Sequence, residues 1–268
     1  MSVTYNEPVP EVATRLTFQC NLAKRVAIDV GAALAAAFCV SPIITIVDRS
    51  IIMNASGAQK LGSALVGGVK QLTFTPTSFI RGLDFRLIWG LYTATYVVAN
   101  VVDTVSELNK KDSAMPKFVV TTAVNGSLCI AKDRAFTRMF GTIAPTSLPI
   151  GSYGLFAVRD MATIGASFSL PVKVADHMHD EYGYDRKRAL FAAQLLCPMA
   201  VQLVSTPMHL LGLDLYNNKT ATTSQRASFV GREYLKSTAA RISRIAPAFG
   251  IGGISNRHFR ESTIRKLQ

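Results

Sequence analysis

Four charged side chains stand inside or at the start of apolar stretches of the sequence: Arg86, Arg159, Asp160 and Arg244. A charge inside a membrane costs roughly 2.5–3.5 kcal/mol on insertion scales, so it persists where it faces water, a partner or a substrate. The adjacent Arg159 and Asp160 can hold the two ends of a zwitterion, and three arginines converging on one cavity would attract a carboxylate or a phosphate. The alternative is structural: Arg86 and Arg244 extend to the membrane surface, and Arg159 pairs internally with Asp160.

Neither an enzyme nor a metal site is predicted. The sequence contains no G-x-S-x-G motif, no G-x-x-x-x-G-K-[ST] motif and no Cys/His pair suited to catalysis. Its four cysteines stand far apart, which argues against a disulfide framework or a zinc site. His177 and His179 precede two acidic residues, but they lack a third partner at helical spacing, which favours a solvated connector. We therefore expect no catalytic residue, no metal and no cofactor.

The composition indicates a membrane protein. Of the 268 residues, 49% are hydrophobic and 17% are charged, whereas a soluble domain carries about 25% charged residues. The net charge of +12 is compatible with either a membrane protein or a nucleic-acid binder. The basic residues concentrate in short connectors and at the C-terminus, without interleaved aromatic residues. This distribution disfavours nucleic acid as a partner.

Six apolar runs predict six transmembrane helices, because a spanning helix needs about 20 mainly apolar residues. The last run is the shortest and is rich in glycine. The expected fold is an all-α polytopic membrane bundle that forms a single domain over residues 1–268. The runs cover residues 26–47, 87–102, 118–131, 149–170, 189–213 and 245–254.

A threefold internal repeat is also predicted. Arg86, Arg159 and Arg244 each stand near the start of an apolar helix that is rich in small residues, and another apolar helix precedes each of them. The chain therefore divides into three helix–connector–helix units, at about residues 15–110, 111–182 and 183–264.

With this layout, and with fragments such as FIRGLDFR, VRDM and RISRIAPAFGIGG, the chain resembles the mitochondrial carrier family. The resemblance implies a transporter of a small anionic or zwitterionic metabolite that works by alternating access in a mitochondrial membrane, the inner one being favoured. It places the three arginines near the family's substrate contact points. The Arg159–Asp160 pair is similar to the second contact point of carriers for amino-acid-like substrates.

The signature of that family, P-x-[DE]-x-x-[KR] on the odd helices, is degenerate here. Pro42 and Pro207 are present, but neither is followed by the charged pair. Asp133 keeps the acidic position of the second repeat, and His209 replaces the acid of the third as a weak partner. These four residues are the expected remnants of the gate. The loss of the other gate charges supports a rival hypothesis, in which a degenerate carrier no longer transports and serves as a structural or adaptor subunit of a larger mitochondrial membrane complex.

Two amphipathic segments, residues 59–71 and 224–238, are predicted to form short helices. In the resembled family such helices lie along the membrane surface. Their basic residues suit the head groups of membrane lipids, including an anionic lipid such as cardiolipin. A plain solvated helix is the alternative for each segment. The basic residues are Lys60, Lys70, Arg226, Arg232 and Lys236.

Overall fold

The computed structural model describes residues 11–141, 148–168, 170–245 and 247–265, and this part of the chain is helical without any strand. In these described ranges eleven α-helices follow one another, and a π-helical segment, Pro247–Gly253, separates the last two. The α-helices are α1 (Glu11–Ala55), α2 (Leu61–Phe74), α3 (Pro76–Arg81), α4 (Leu83–Leu108), α5 (Ala114–Phe140), α6 (Ile150–Phe168), α7 (Leu170–Tyr182), α8 (Arg186–Ala200), α9 (Gln202–Asn217), α10 (Thr223–Ser243) and α11 (Ile254–Arg265).

Four stretches of the described chain are long and apolar enough to cross a membrane: Leu22–Ala55, Leu83–Leu108, Ala114–Phe140 and Arg186–Asn217. They contain the first, second, third and fifth predicted spans. The described part of the chain is therefore all-helical, and the protein is a membrane protein, as its composition indicates. The six-span carrier architecture is not confirmed, and the division into three repeats stays a prediction.

In the described part of the chain, the fourth and sixth predicted spans do not form helices that are long and apolar enough to cross a membrane. Residues 149–170 correspond mainly to α6, whose 19 residues include the charged pair Arg159 and Asp160 and are therefore not apolar enough. Residues 245–254 correspond mainly to the π-helical segment, which has 7 residues. One residue of each run, Ser169 or Ala246, lies outside the described part of the chain. The polar connectors predicted between the spans are also largely helical, since α7 and α10 occupy them.

Helix α1 is the centre of the bundle, and it packs against α2, α4, α10, α11 and the π-helical segment. A row of buried alanines, including Ala33, Ala36 and Ala37, lets neighbouring helices approach α1 closely. Helix α4 runs antiparallel to α1, because Arg49 pairs with Asp84 at 3.0 Å near one end of both helices. We call this the Arg49 end of the bundle.

Near the opposite end of α4, where it lies beside the middle of α1, α11 completes the packing, and we call this the Asp29 end of the bundle. Arg260 of α11 donates from Nε to Oδ1 of Asp29 at 2.7 Å, and Thr104 of α4 donates to Oδ2 at 2.5 Å. Asn100 and Asn256 exchange hydrogen bonds of 2.8 and 2.9 Å beside them. Asp29 is fully buried, so these donors satisfy a carboxylate that water does not reach.

The largest hydrophobic cluster lies between α1, α5, α6 and α9. Phe136, Phe156, Leu210, Leu213 and Tyr216 are all fully buried in it. Two of these rings also make cation–π contacts. Nζ of Lys132 lies 5.4 Å from the ring centre of Phe136, and Cζ of Arg159 lies 5.1 Å from the ring centre of Phe156. The aromatic core therefore positions the charges described next.

The two predicted amphipathic helices are present as α2 and α10. Lys60 and Lys70 are exposed, as lipid contact requires. Arg226 instead pairs with Asp214 at 2.5 Å, and Lys236 pairs with Glu233 at 2.7 Å. The lipid-binding role of these residues stays a prediction.

Candidate functional site

A cavity of about 300 Å³ lies among the helices and is lined by residues of α1, α4, α5, α6, α8, α9, α10 and the π-helical segment. This volume is at the small end of the range for ligand sites, which suits a metabolite rather than a large cofactor. The charged residues that line it are Asp48, Lys117, Lys132, Asp160, Arg241 and Arg244.

Carboxylate and cationic groups alternate along one wall of this cavity. Asp48 of α1 accepts hydrogen bonds from Nζ of Lys132 at 2.7 Å and from Nη1 of Arg244 at 2.5 Å. Lys132 also pairs with its neighbour Asp133 at 2.6 Å. Because Lys132 bridges the two carboxylates, this row of ion pairs ties α1 to α5 and to the end of α10.

The row continues from Asp133 to α6. Asp133 pairs with Nη2 of Arg159 at 2.6 Å, and Arg159 also donates to Oδ1 of Asp160 from Nε at 2.9 Å and from Nη2 at 2.6 Å. Nη1 of Arg159 lies 2.6 Å from Nδ1 of His209 on α9. We call Asp48, Lys132, Asp133, Arg159, Asp160 and Arg244 the buried charge cluster.

Arg241 lines the cavity outside this cluster. Its side chain is only 3% exposed, and it donates from Nε to Oε1 of Gln202 at 3.0 Å and from Nη2 to Oγ of Ser205 at 3.4 Å. No carboxylate of the described residues pairs with it. Burial, with smaller contributions from the charges of Arg244 and Arg159, lowers the pKa of Arg241 to about 9. Arg241 is thus a buried cation without a counter-charge of its own.

Asp160 also lines the cavity, and one of its carboxylate oxygens lacks a hydrogen-bond donor. Its Oδ1 receives both hydrogen bonds from Arg159, whereas its Oδ2 is buried and has no partner among the described residues. A buried carboxylate oxygen without a donor is costly, so this atom suits a ligand that brings a donor of its own.

The rest of the cavity wall is neutral and polar. Asn125 donates to Oγ1 of Thr95 at 3.0 Å, and Oη of Tyr96 donates to the carbonyl of Ala248 at 3.1 Å. The π-helical segment brings this carbonyl against α4, and Gly252 in the same segment leaves room for the Tyr96 hydroxyl. The neutral polar lining residues are Tyr92, Thr95, Tyr96, Thr121, Thr122, Asn125, Thr163, Ser167 and Gln202.

Three of the four residues predicted to bind substrate meet at this cavity, namely Arg159, Asp160 and Arg244. Asp160 and Arg244 line it, and Arg159 lies directly behind Asp160. Arg86 does not join them, because its side chain is exposed and does not line the cavity. The binding role of all four residues stays a prediction.

Of the four predicted gate remnants, two contact the buried charge cluster or belong to it, and two do not. Asp133 and His209 both contact Arg159. The two prolines do not belong to the charge cluster: Pro42 lies inside α1, and Pro207 lies inside α9.

Sequence reasoning missed Asp48, Lys132 and Arg241. Asp48 and Lys132 stand at the ends of apolar runs next to other charged residues, and the sequence does not tell which of these neighbours points inward. Arg241 stands three residues before Arg244, a spacing that places both on one face of a helix. That spacing was the available signal for a second cavity arginine.

Residues 32–264 match the model of a protein family described as "Probable citrulline exporter". The match covers most of the chain, which therefore belongs to this family. The resemblance to mitochondrial carriers is wrong: it rested on short fragments, and no repeat has the complete carrier signature. Neither a curated protein nor a solved structure matches the chain.

Proposed function

As this chain is a member of the probable citrulline exporter family, we propose that it exports a small neutral amino acid, citrulline or a close chemical relative, across a membrane. The substrate would occupy the central cavity during transport. The observation that carries the proposal is that buried groups of both signs, together with neutral polar groups, line one small cavity among helices long enough to span a membrane.

The chemistry of the cavity suits such a substrate. An amino acid with an uncharged polar side chain carries one carboxylate, one ammonium group and a hydrogen-bonding tail. The cavity offers cationic, anionic and neutral polar groups in turn. Buried charges inside a membrane protein are expensive and mark substrate pathways in many transporters. Their presence here supports transport more than a purely structural role.

Alternating access fits the two ends of the bundle. Arg260 joins α11 to α1 and α4 at the Asp29 end, and the Arg49–Asp84 pair joins α1 and α4 at the other end. Opening one end while the other stays closed would expose the cavity to each side of the membrane in turn.

Two expectations from the sequence depended on the resemblance to mitochondrial carriers, and the family match removes their support. The mitochondrial inner membrane was inferred from the carrier resemblance alone. The structural or adaptor role was inferred from the loss of carrier gate residues, and this chain has no carrier gate to lose. The cavity and its charges favour the transporter.

Transport is tested with purified protein in liposomes loaded with citrulline, by following the uptake of labelled citrulline against empty liposomes. We expect counterflow that unlabelled citrulline competes away and that arginine, glutamate and leucine affect much less. If folded protein gives no flux above that of empty liposomes for any of these amino acids, the proposal is wrong. Stable co-purification with a larger membrane complex, without flux, would then favour the structural role.

A further inference from the structure

We infer that Arg241 and Asp160 form the two poles of a zwitterion site, in which Arg241 binds the α-carboxylate of the transported amino acid and Asp160 binds its α-ammonium group. This inference rests on the proposed function and assigns residues to it. The side chain of the substrate then lies along the neutral polar wall near Tyr92, Thr95 and Asn125.

A count of charges singles out Arg241. The buried charge cluster and Arg241 together contain four cations and three carboxylates. The cations of the cluster, Lys132, Arg159 and Arg244, each pair with a carboxylate of the cluster. The positive charge in excess is therefore located at Arg241. A ligand carboxylate would neutralise it without breaking an existing ion pair.

Arg241 also has N–H groups that bind no partner in the described part of the chain. A guanidinium carries five N–H groups in a planar fork that matches a carboxylate. In the described part of the chain, only Nε and Nη2 of Arg241 have partners, and both partners are neutral oxygens. Gln202 and Ser205 therefore hold the side chain in place while leaving its charge available.

Asp160 offers the matching acceptor. Arg159 binds only Oδ1 of Asp160, so Oδ2 is left for an incoming donor. An ammonium group supplies three donors on a compact positive charge. Arg159 would act as a positioning residue, since its two bonds to Oδ1 fix the orientation of the carboxylate.

The other charged groups of the cluster are less suitable poles. Asp48 already accepts from Lys132 and Arg244, and Asp133 lies between Lys132 and Arg159. Binding a substrate there would require the loss of a buried ion pair. Removing one partner from such a pair is strongly unfavourable.

The same geometry predicts which side chains are accepted. Along the neutral wall, hydroxyl and amide groups can bind an uncharged polar tail such as a ureido group. A second positive charge on the substrate would find no free carboxylate there and would face the excess charge of Arg241. The site should therefore prefer a neutral amino acid to a cationic one of similar length.

The assignment is tested by removing one group from the ligand and its partner from the protein. The probes are citrulline, its decarboxylated amine and its N-acetyl derivative, and the readout is calorimetric binding to the full chain in detergent. The wild type should bind each derivative at least tenfold more weakly than citrulline. Arg232→Gln, which removes an exposed arginine of the same helix, is the control and should bind all three like the wild type.

Each variant should lose one preference and keep the other. Arg241→Gln should bind citrulline and the decarboxylated amine equally, while still rejecting the N-acetyl derivative. Asp160→Asn should show the converse pattern. Arg241→Lys, which keeps the charge, should retain the preference for a carboxylate at reduced affinity, and it replaces Arg241→Gln if that variant does not fold.

Two results would overturn the assignment in different ways. If the wild type binds and transports citrulline, but each variant weakens all three probes by the same factor, the poles are elsewhere and the proposed function stands. If the folded wild type binds none of the probes and transports no citrulline, the proposed function fails together with the assignment.

Discussion

Asp133 on α5 and Arg159 on α6 form a buried ion pair of 2.6 Å, and each of them also contacts a residue outside this pair. Asp133 also pairs with Lys132, which reaches α1 through Asp48, and Arg159 also contacts His209 on α9. This ion pair and its direct neighbours therefore connect α1, α5, α6 and α9 behind the cavity. A change at this pair should affect both the stability of the bundle and the orientation of Asp160.

Removing the carboxylate charge of Asp133 should strongly destabilise the protein. Asp133→Asn leaves Arg159 and Lys132 without their shared carboxylate in a site that water does not reach, and breaking a buried pair typically costs about 3–5 kcal/mol. Thermal unfolding in detergent measures the effect. The control is Glu261→Gln, which disrupts a surface pair at 3.6 Å and should change the melting temperature little. Equal melting temperatures for the two variants would contradict this account.

The pair between Asp29 and Arg260 should show strong coupling. Arg260→Gln removes the charged partner of a fully buried carboxylate, so α11 should loosen from α1 and α4. Adding Asp29→Asn removes the buried charge as well and should recover part of the lost stability. Hydrogen exchange of α11 and thermal unfolding of both single variants and the double variant measure this coupling. Additive losses would show that the pair does not hold α11.

The contact between Gly252 and Tyr96 should tolerate no added carbon. A Cβ at Gly252 would collide with Oη of Tyr96, which donates to the carbonyl of Ala248. Gly252→Ala should therefore lower the melting temperature and weaken citrulline binding, since the displaced Tyr96 lines the cavity. Tyr96→Phe removes the colliding atom, so adding it to Gly252→Ala should restore part of the stability. Gly231→Ala on α10 is the control, because nothing lies within 4 Å of a Cβ at that position and Gly231 does not line the cavity.

The sequence was sufficient to predict a helical membrane protein, because long uncharged runs have few other solutions. It was not sufficient to count the spans. Helix α6 has the length of a span, with 19 residues, but it carries Arg159 and Asp160 and is not apolar enough. The run after Arg244 is apolar as well, yet it forms a π-helical segment. Such outcomes depend on contacts with neighbouring helices. One of these contacts is the hydrogen bond from Tyr96 of α4 to the π-helical segment.

The site was predictable only where a charge interrupts an apolar run. Arg159, Asp160 and Arg244 stood out for that reason. Arg86 stood out equally, but the rotation of a helix about its axis decides whether a side chain faces a cavity, and the sequence does not give that rotation. Lys132 was overlooked because it stands between apolar and charged neighbours. The pairing of charges across four helices is a property of tertiary packing alone.

The contribution of Glu233 to stability should depend on pH. Desolvation raises its pKa, but hydrogen bonds from Lys236, Asn54 and Arg232 outweigh this and lower the pKa below the ordinary 4.5. The charged form is therefore favoured in the folded state, and the stability it contributes is present above about pH 4.5 and is lost as the pH falls through the lowered pKa. Glu233→Gln should melt below the wild type at pH 7, and the gap should narrow towards pH 3. A constant gap over this range would contradict the prediction.

Arg86 and Arg244 should differ in transport, although the sequence makes them look alike. Arg244 lines the cavity and pairs with Asp48 at 2.5 Å, whereas Arg86 is exposed and does not line it. Arg244→Gln leaves Asp48 with Lys132 alone and disturbs the charge cluster, so citrulline flux into liposomes should fall at least tenfold. Arg86→Gln removes the same charge from the same type of side chain, outside the cavity, and should reduce flux by less than twofold at equal amounts of folded protein. Equal losses of flux in the two variants would show that Arg86 acts with Arg244, as its place in the sequence suggests.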